Sequence, residues 1–364
     1  MEVSEEQLKD FSPRVVHSIV RKFMTPRMGV YWADFLLTLC VGFLAFAAVP
    51  WFGYLSLGGA IAFVVSVLAL YRAAVFIHEI VHFGSRRQFD RFRVAWNVLC
   101  GIPLFIPLFM YECHAEHHSR KWYGTANDAE YLPLARMAPR EIVGILAAVP
   151  LLPLFGPLRF GVLTPLSWFV PPLRRYVYTN LSTLKLDVEY RGRPPASPAE
   201  RRAWMLQEAG CLLIFLAAVI GVTLGWIPWP LIAQWYATYL GIAALNTLRL
   251  LGAHRYLGAD DGLSIVEQML DTYNYPRLRW VAECWAPVGL RLHALHHLLP
   301  GLPYHAYASA HKELMVQLPA DSPYRLTTAC GLWSSLRALW RAAAASVHQE
   351  QNVSALSGSR RSAR

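Results

Sequence analysis

Charge is what this sequence has least of. Of 364 residues, only 16% are Asp, Glu, Lys or Arg, against roughly 25% in an ordinary soluble domain. With 55% hydrophobic residues, the balance is the reverse of a disordered chain. It also argues against a plain soluble enzyme, whose surface needs polar cover. Lys and Arg are missing altogether from residues 33–71 and 205–248. The six cysteines, Cys40, Cys100, Cys113, Cys211, Cys284 and Cys330, never form a C-x-x-C pair. That excludes a zinc ribbon, a thioredoxin-type motif, and iron–sulfur or c-type haem attachment. The N-terminal stretch MEVSEEQLKDFSPRVVHSIVRKFM has no apolar core of the signal-peptide kind. The first apolar run is therefore expected to act as the membrane address.

Four runs are long enough to cross a bilayer, which takes about 20 residues at 1.5 Å each. They are residues 33–50, 55–76, 209–226 and 230–251, joined in pairs by the short links WFGY and IPW. The expectation is an all-α integral membrane protein built from two helical hairpins. Thirteen Trp, 17 Tyr and 17 Phe suit the membrane interfaces. All 34 basic residues lie outside the hairpins or at their ends. The positive-inside rule then puts residues 1–32, 77–208 and 252–345 in the cytoplasm. This placement beside membrane lipid accounts for the net charge of +10 without a nucleic-acid partner. Two further apolar stretches, 94–110 and 142–172, are interrupted by prolines and are expected to lie on or re-enter the membrane without crossing it. The main domain is read as 33–345, and the basic tail 346–364 is expected to be disordered.

The histidines are clustered. His78 and His82 form HEIVH. His114, His117 and His118 form HAEHH, and His293, His296 and His297 form HALHH. Residues i, i+3 and i+4 share one side of a helix, so each cluster is expected to present its imidazoles in one direction. Grouped imidazoles are costly to bury unless a metal organises them. His78 and His82 follow the second run, and His293, His296 and His297 follow the fourth. All three clusters therefore reach one cytoplasmic-side site if 94–110 does not cross. His254, at the end of the fourth run, is a ninth candidate. So many histidines exceed one zinc site and suit two metals side by side, of a kind that imidazole alone does not select. Among Glu79, Glu112, Glu116, Asp128, Glu130, Asp260 and Asp261, some are expected to orient ligating rings. His305 and His311 are read as supporting or structural, and His17 and His348 as incidental.

These motifs resemble the membrane fatty acid desaturase family, the three-histidine-box group of non-haem di-iron enzymes, and its bacterial members especially. The matching text is HEIVH, YECHAEHHSRKWYGTANDAEY, LRLLGAHRYLGADDG and LHALHHLLPGLPYHAYASAHKEL. The resemblance implies a four-helix stem under a cytoplasmic cap holding the metals. It implies two iron ions held by His78, His82, His114, His117, His118, His254, His293, His296 and His297, with O2 as co-substrate. The implied reaction is desaturation of an acyl chain that is lipid-, CoA- or carrier-protein-linked. Electrons would come from an external ferredoxin, or a cytochrome with its reductase. The implied location is a bacterial inner membrane, with both termini cytoplasmic. Two departures stand out. The first box has three intervening residues where several branches have four. The third begins with His293 where fused front-end members carry Gln, and no cytochrome b5 segment is present.

Hydroxylases, ketolases and acetylenases share the same boxes, so the outcome at the acyl chain stays open. HEIVH also fits a membrane zinc protease with Glu79 as general base, although that leaves six clustered histidines unexplained. A haem or metal carrier would place paired histidines inside the spans, whereas these lie at or beyond span ends.

Overall fold

A computed structural model describes residues 11–258 and 261–362, with side chains described up to residue 347. It is helical throughout. Among the described residues the only β-type pairings are isolated bridges, from His254 to Thr272 and from Asn274 to Leu292 and Thr328.

The first hairpin is α1 (Met28–Phe52) and α2 (Leu57–Phe83). Apolar residues surround both helices, as befits a lipid-facing pair. The link turns at Gly53, whose φ of 92° favours glycine, and Ser56 caps α2 by accepting from Gly59 N at 2.9 Å. The two helices approach closely at Gly42, where an added Cβ would stand 2.7 Å from Leu70. α2 is the central helix: 61% of its apolar window is buried, against 22% for α1. It extends beyond its apolar window, which carries the first histidine box out of the stem.

Among the described residues, four helices are long and apolar enough to cross a membrane: α1, α2, α4 (Pro139–Phe169) and α5 (Pro198–Thr223). This set differs from expectation at two points. The run at 230–251 does form a helix, α6 (Trp229–Ala253), but its mean hydropathy is lower. The buried Gln234, Thr238, Thr247 and Arg249 make it a helix that faces protein along one side. The prolines of 142–172, in turn, do not break the helix. The chain passes Pro150 in a 3-10 turn at Val149–Leu151 and Pro157 in a π stretch at Pro157–Leu163. Such local changes of pitch re-satisfy carbonyls that proline frees.

Hydrogen bonding shows that the chain through α4 and the helix after it, Pro171–Asn180, nonetheless comes back to where it began. Leu186 N donates to Ala129 O at 2.7 Å, so the chain before α4 meets the chain after it. Parity agrees. The rings of His117 and His254 lie 5.1 Å apart, so an even number of crossings separates them. The hairpin of α5 and α6 supplies two. A fully buried ion pair, Arg159 Nη2 to Glu208 Oε1 at 2.8 Å, ties α4 to α5. Arg174 Nη2 binds the other carboxylate oxygen at 2.6 Å, and Ser182 accepts from Arg159 at 2.9 Å. A buried pair is tolerated when its remaining groups are satisfied in this way.

Stretch 94–110 is short irregular helix, a π turn at Asn97–Gly101 followed by a 3-10 turn at Leu108–Tyr111. It is too short to cross. The last helix, α8 (Leu332–Ser362), runs past residue 346 into the segment expected to lack order. Its alanine run at 342–345 has the highest helix propensity of any residue type.

Candidate metal centre

Each histidine box sits where a helix ends or a short one stands. His78 and His82 occupy the last two turns of α2. His114 and His117 form the one-turn helix α3 (His114–His117), with His118 as its C-terminal cap. His254 is the residue directly after α6. His293, His296 and His297 lie on α7 (His293–Leu298), every residue of which is buried.

The structure brings all nine candidates together, in two groups. His78, His82, His114, His118 and His296 form one; His117, His254, His293 and His297 form the other. Within each group the ligand atoms lie within 4.8 Å of one another. The expectation that each cluster points in one direction is therefore corrected. Successive helical residues turn by about 100°, so i and i+4 differ by only about 40°, whereas i+3 and i+4 diverge by the full step. In the second box, His114 and His118 go to the five-histidine group and His117 crosses to the other. In the third, His293 and His297 stay together and His296 crosses. Each H-x-x-H-H helix thus straddles both groups.

The donor set fits two metal ions. Nε2 of His118 lies 3.2 Å from Nε2 of His114 and 3.0 Å from Nε2 of His296. Nε2 of His293 lies 3.1 Å from Nε2 of His254 and 3.2 Å from Nε2 of His297. Ligands at right angles around one ion, each at the usual nitrogen distance of about 2.1 Å, would stand about 3.0 Å apart. Both ring nitrogens of His78, and Nε2 of His82, are buried without a hydrogen-bond partner, a state that costs about 1–3 kcal/mol per group unless something binds there. Burial, with the neighbouring imidazoles, holds His118, His254, His296 and His297 well below the ordinary histidine range. Neutral rings keep the lone pair that a metal needs.

Two carboxylates orient the second box. Glu130 Oε1 lies 2.6 Å from Nδ1 of His114, and Asp128 Oδ2 lies 2.8 Å from Nδ1 of His117. Such partners leave Nε2 free to ligate. Burial raises Glu130, but the His114 ring and nearby cations outweigh it and carry Glu130 down to about 2. Burial likewise lowers His117, and Asp128 outweighs it in the other direction. Of the other carboxylates considered, Glu116 is held by Tyr190 and Arg193, Glu112 and Asp261 are exposed, and Asp260 lies outside the described residues. His305 accepts from Arg27 N and His311 pairs with Tyr324, so neither joins a group. His17 is exposed, and the side chain of His348 lies outside the described residues.

Glu79, the general base of the protease reading, belongs to neither group. It accepts from the Tyr31 hydroxyl and from Tyr304 N. His78 and His82 are joined by three further histidines rather than by one. The arrangement is not that of a single-zinc protease.

Residues 54–328 match the fatty acid desaturase family. The chain belongs to this family. It is also 41% identical over 332 residues to a ceramide hydroxylase of Caulobacter vibrioides (strain NA1000 / CB15N), covering 90% of this chain and 93% of that one. Membership makes the protein a membrane oxidoreductase of the desaturase and hydroxylase superfamily, whose histidine boxes serve non-haem di-iron chemistry.

Within the family frame, several supporting residues escaped the sequence reading. Tyr307 OH lies 2.8 Å from Nδ1 of His296, and Tyr123 OH lies 2.9 Å from Nδ1 of His254. Asp271 accepts from both Tyr123 and Tyr131 at 2.8 Å. Arg249 is buried on α6 five residues before His254, at the end of the run that lacks Lys and Arg. Asp271 stands outside every box, so no local spacing points to it. The YECHAEHHSRKWYGTANDAEY stretch does contain Tyr123, Asp128, Glu130 and Tyr131, and this grouping of two acids between two phenols is the one signal available in advance.

Proposed function

We propose that this protein is an O2-dependent lipid hydroxylase that places a hydroxyl group on a ceramide. The observation that carries the reading is the 41% identity to a ceramide hydroxylase along 90% of the chain. It favours the hydroxylase alternative over the desaturase that the motifs alone suggested.

The two groups would each hold one iron ion, His78, His82, His114, His118 and His296 one, His117, His254, His293 and His297 the other. Bound there, a redox-active metal supplies activation of O2 and the oxidising power to break an unactivated C–H bond, which redox-inert zinc cannot. The overall balance is R–H + O2 + two electrons + two protons giving R–OH + H2O. Desaturation consumes the same inputs but removes a second hydrogen from the neighbouring carbon and releases two waters.

The chain's own residues do the rest. Asp128, Glu130, Tyr123 and Tyr307 fix the orientation of the rings they touch, so the donor set is organised before any metal arrives. Burial of nearly all the ligands keeps bulk water from the oxidant. The site stands at one end of the stem, which suits an amphiphile whose chains lie in the bilayer and whose polar head stays at its surface. The sequence carries no iron–sulfur or c-type haem pattern, so both electrons come from a separate carrier, a ferredoxin or a cytochrome with its reductase. The positive-inside pattern favours an orientation with the site and both termini on the cytoplasmic side, and likeness to bacterial family members favours an inner-membrane location.

The test is expression in a ceramide-producing bacterial host, with total sphingolipids read by mass spectrometry beside a His117→Ala control. The expected product is a ceramide sixteen mass units heavier, absent in the control. A product two units lighter would replace the reading by a desaturase.

A further inference from the structure

We infer that Asp271, acting through Tyr123, determines which nitrogen of His254 faces the four-histidine group, and so whether that group can hold its metal. The inference rests on the metal reading above.

The argument is one of counting protons. Tyr123 OH stands between Nδ1 of His254 at 2.9 Å and Oδ2 of Asp271 at 2.8 Å. A tyrosine has one hydroxyl proton. Asp271 already accepts from Tyr131 OH at 2.8 Å on the same oxygen, and from Leu257 N at 3.2 Å on the other. A carboxylate in that position can only accept. Tyr123 therefore donates to Asp271, and its oxygen accepts from His254. The proton of the neutral His254 ring is then on Nδ1, and Nε2 carries the lone pair. Nε2 is the atom inside the group, 3.1 Å from Nε2 of His293. If Tyr123 donated to His254 instead, the ring proton would move to Nε2 and block ligation.

The relay is built for this. Tyr123 is fully buried, and Tyr131, His254 and Asp271 are 2% exposed, so no solvent competes for the bonds. The turn after α6 uses Gly258 at a φ of 73°, with its N–H donating to Tyr131 OH at 3.0 Å. That turn brings Leu257 N onto Asp271 and closes the network. His114 and His117 take a carboxylate directly. His254 does not, since the nearest Asp271 oxygen is 3.9 Å from its Nδ1. Tyr123 fills that gap and passes on the polarity of the carboxylate. Asp271 is a positioning residue; it touches no candidate ligand.

Asp271→Asn keeps the shape and reverses the polarity. An amide nitrogen in place of Oδ1 would oppose the fixed N–H of Leu257. In place of Oδ2 it opposes only two hydroxyls, which can rotate. The second placement wins, Tyr123 turns toward His254, and Nε2 is protonated. The test uses the full chain, loaded with ferrous iron in lipid nanodiscs, with iron counted per chain and the ferrous sites resolved by Mössbauer spectroscopy. Asp271→Asn is expected to fall from about two irons to about one, with the signal of the five-histidine group retained. Asp271→Glu is expected to recover part of the loss. The melting temperature of the metal-free chain should not move. Two irons retained in Asp271→Asn would overturn the inference. So would loss of both irons with a lower metal-free melting temperature, since Asp271 would then merely hold the fold. A wild-type chain that binds no iron would instead remove the metal reading and this inference with it.

Discussion

The two histidine groups sit side by side, yet they are built differently. One has five rings, two of them, His82 and His118, partly exposed; the other has four, all buried. α2 contributes only to the first and α6 only to the second. The short boxes are shared by both and exchange roles, with the i, i+4 pair of the second box in the larger group and that of the third in the smaller. The larger group has a ring in excess of the other and an edge toward solvent. The smaller has none to spare, and it is the group with a second, indirect carboxylate, Asp271. We take the difference to mean that ligand number secures one metal and ligand orientation secures the other.

Removal of a ring tests that contrast most severely. His297→Ala leaves three imidazoles and should lose one iron per chain, with oxidation of the lipid substrate falling more than about a hundredfold. His82→Ala leaves four, the number with which the other group works natively, and should keep close to two irons with weaker retention against a chelator. Equal iron loss in the two variants would mean that ring count does not distinguish the groups. The same contrast should appear more mildly in the carboxylates. Asp128→Asn and Glu130→Gln each remove a direct partner of a ligand, worth about ten- to a hundredfold in metal affinity. The larger effect is expected for Asp128→Asn, because His117 belongs to the group without a spare ring. Chelator competition on the two variants in parallel reads the order.

Much of this centre was legible in the sequence, and the reasons it was not complete are physical. Box spacing singled out eight of the nine histidines that lie together, because metal ligands on a helix must recur at a helical interval. The end of the fourth apolar run singled out His254. The division into groups was hidden, since it depends on the angle between i+3 and i+4 and on how α3 and α7 face each other. Asp271 was hidden because it lies 17 residues beyond the ligand it serves, in no motif. In the stem, hydropathy located α1, α2 and α5. It overrated prolines as breakers in α4, where pitch changes absorb them, and passed over the polar side of α6 that packs against protein. Hydroxylase and desaturase share the same boxes, so only likeness along most of the chain bears on the choice between them.

The smallest effect is expected at a tyrosine, and it sharpens the comparison most finely. His296 and His254 each rest on a phenol, Tyr307 at 2.8 Å and Tyr123 at 2.9 Å. A single hydrogen bond between neutral groups contributes about 0.5–1.5 kcal/mol, so Tyr307→Phe alone should weaken iron retention by roughly tenfold or less. His296 has four companion rings to hold the ion in place while its own orientation loosens. Tyr123→Phe removes the same bond but also disconnects Asp271, leaving Nδ1 of a buried His254 without any partner in a group of four. Its loss should exceed that of Tyr307→Phe by about an order of magnitude. If the two phenylalanine variants release iron equally, the phenols act alike, and the asymmetry between the groups lies in ring number alone.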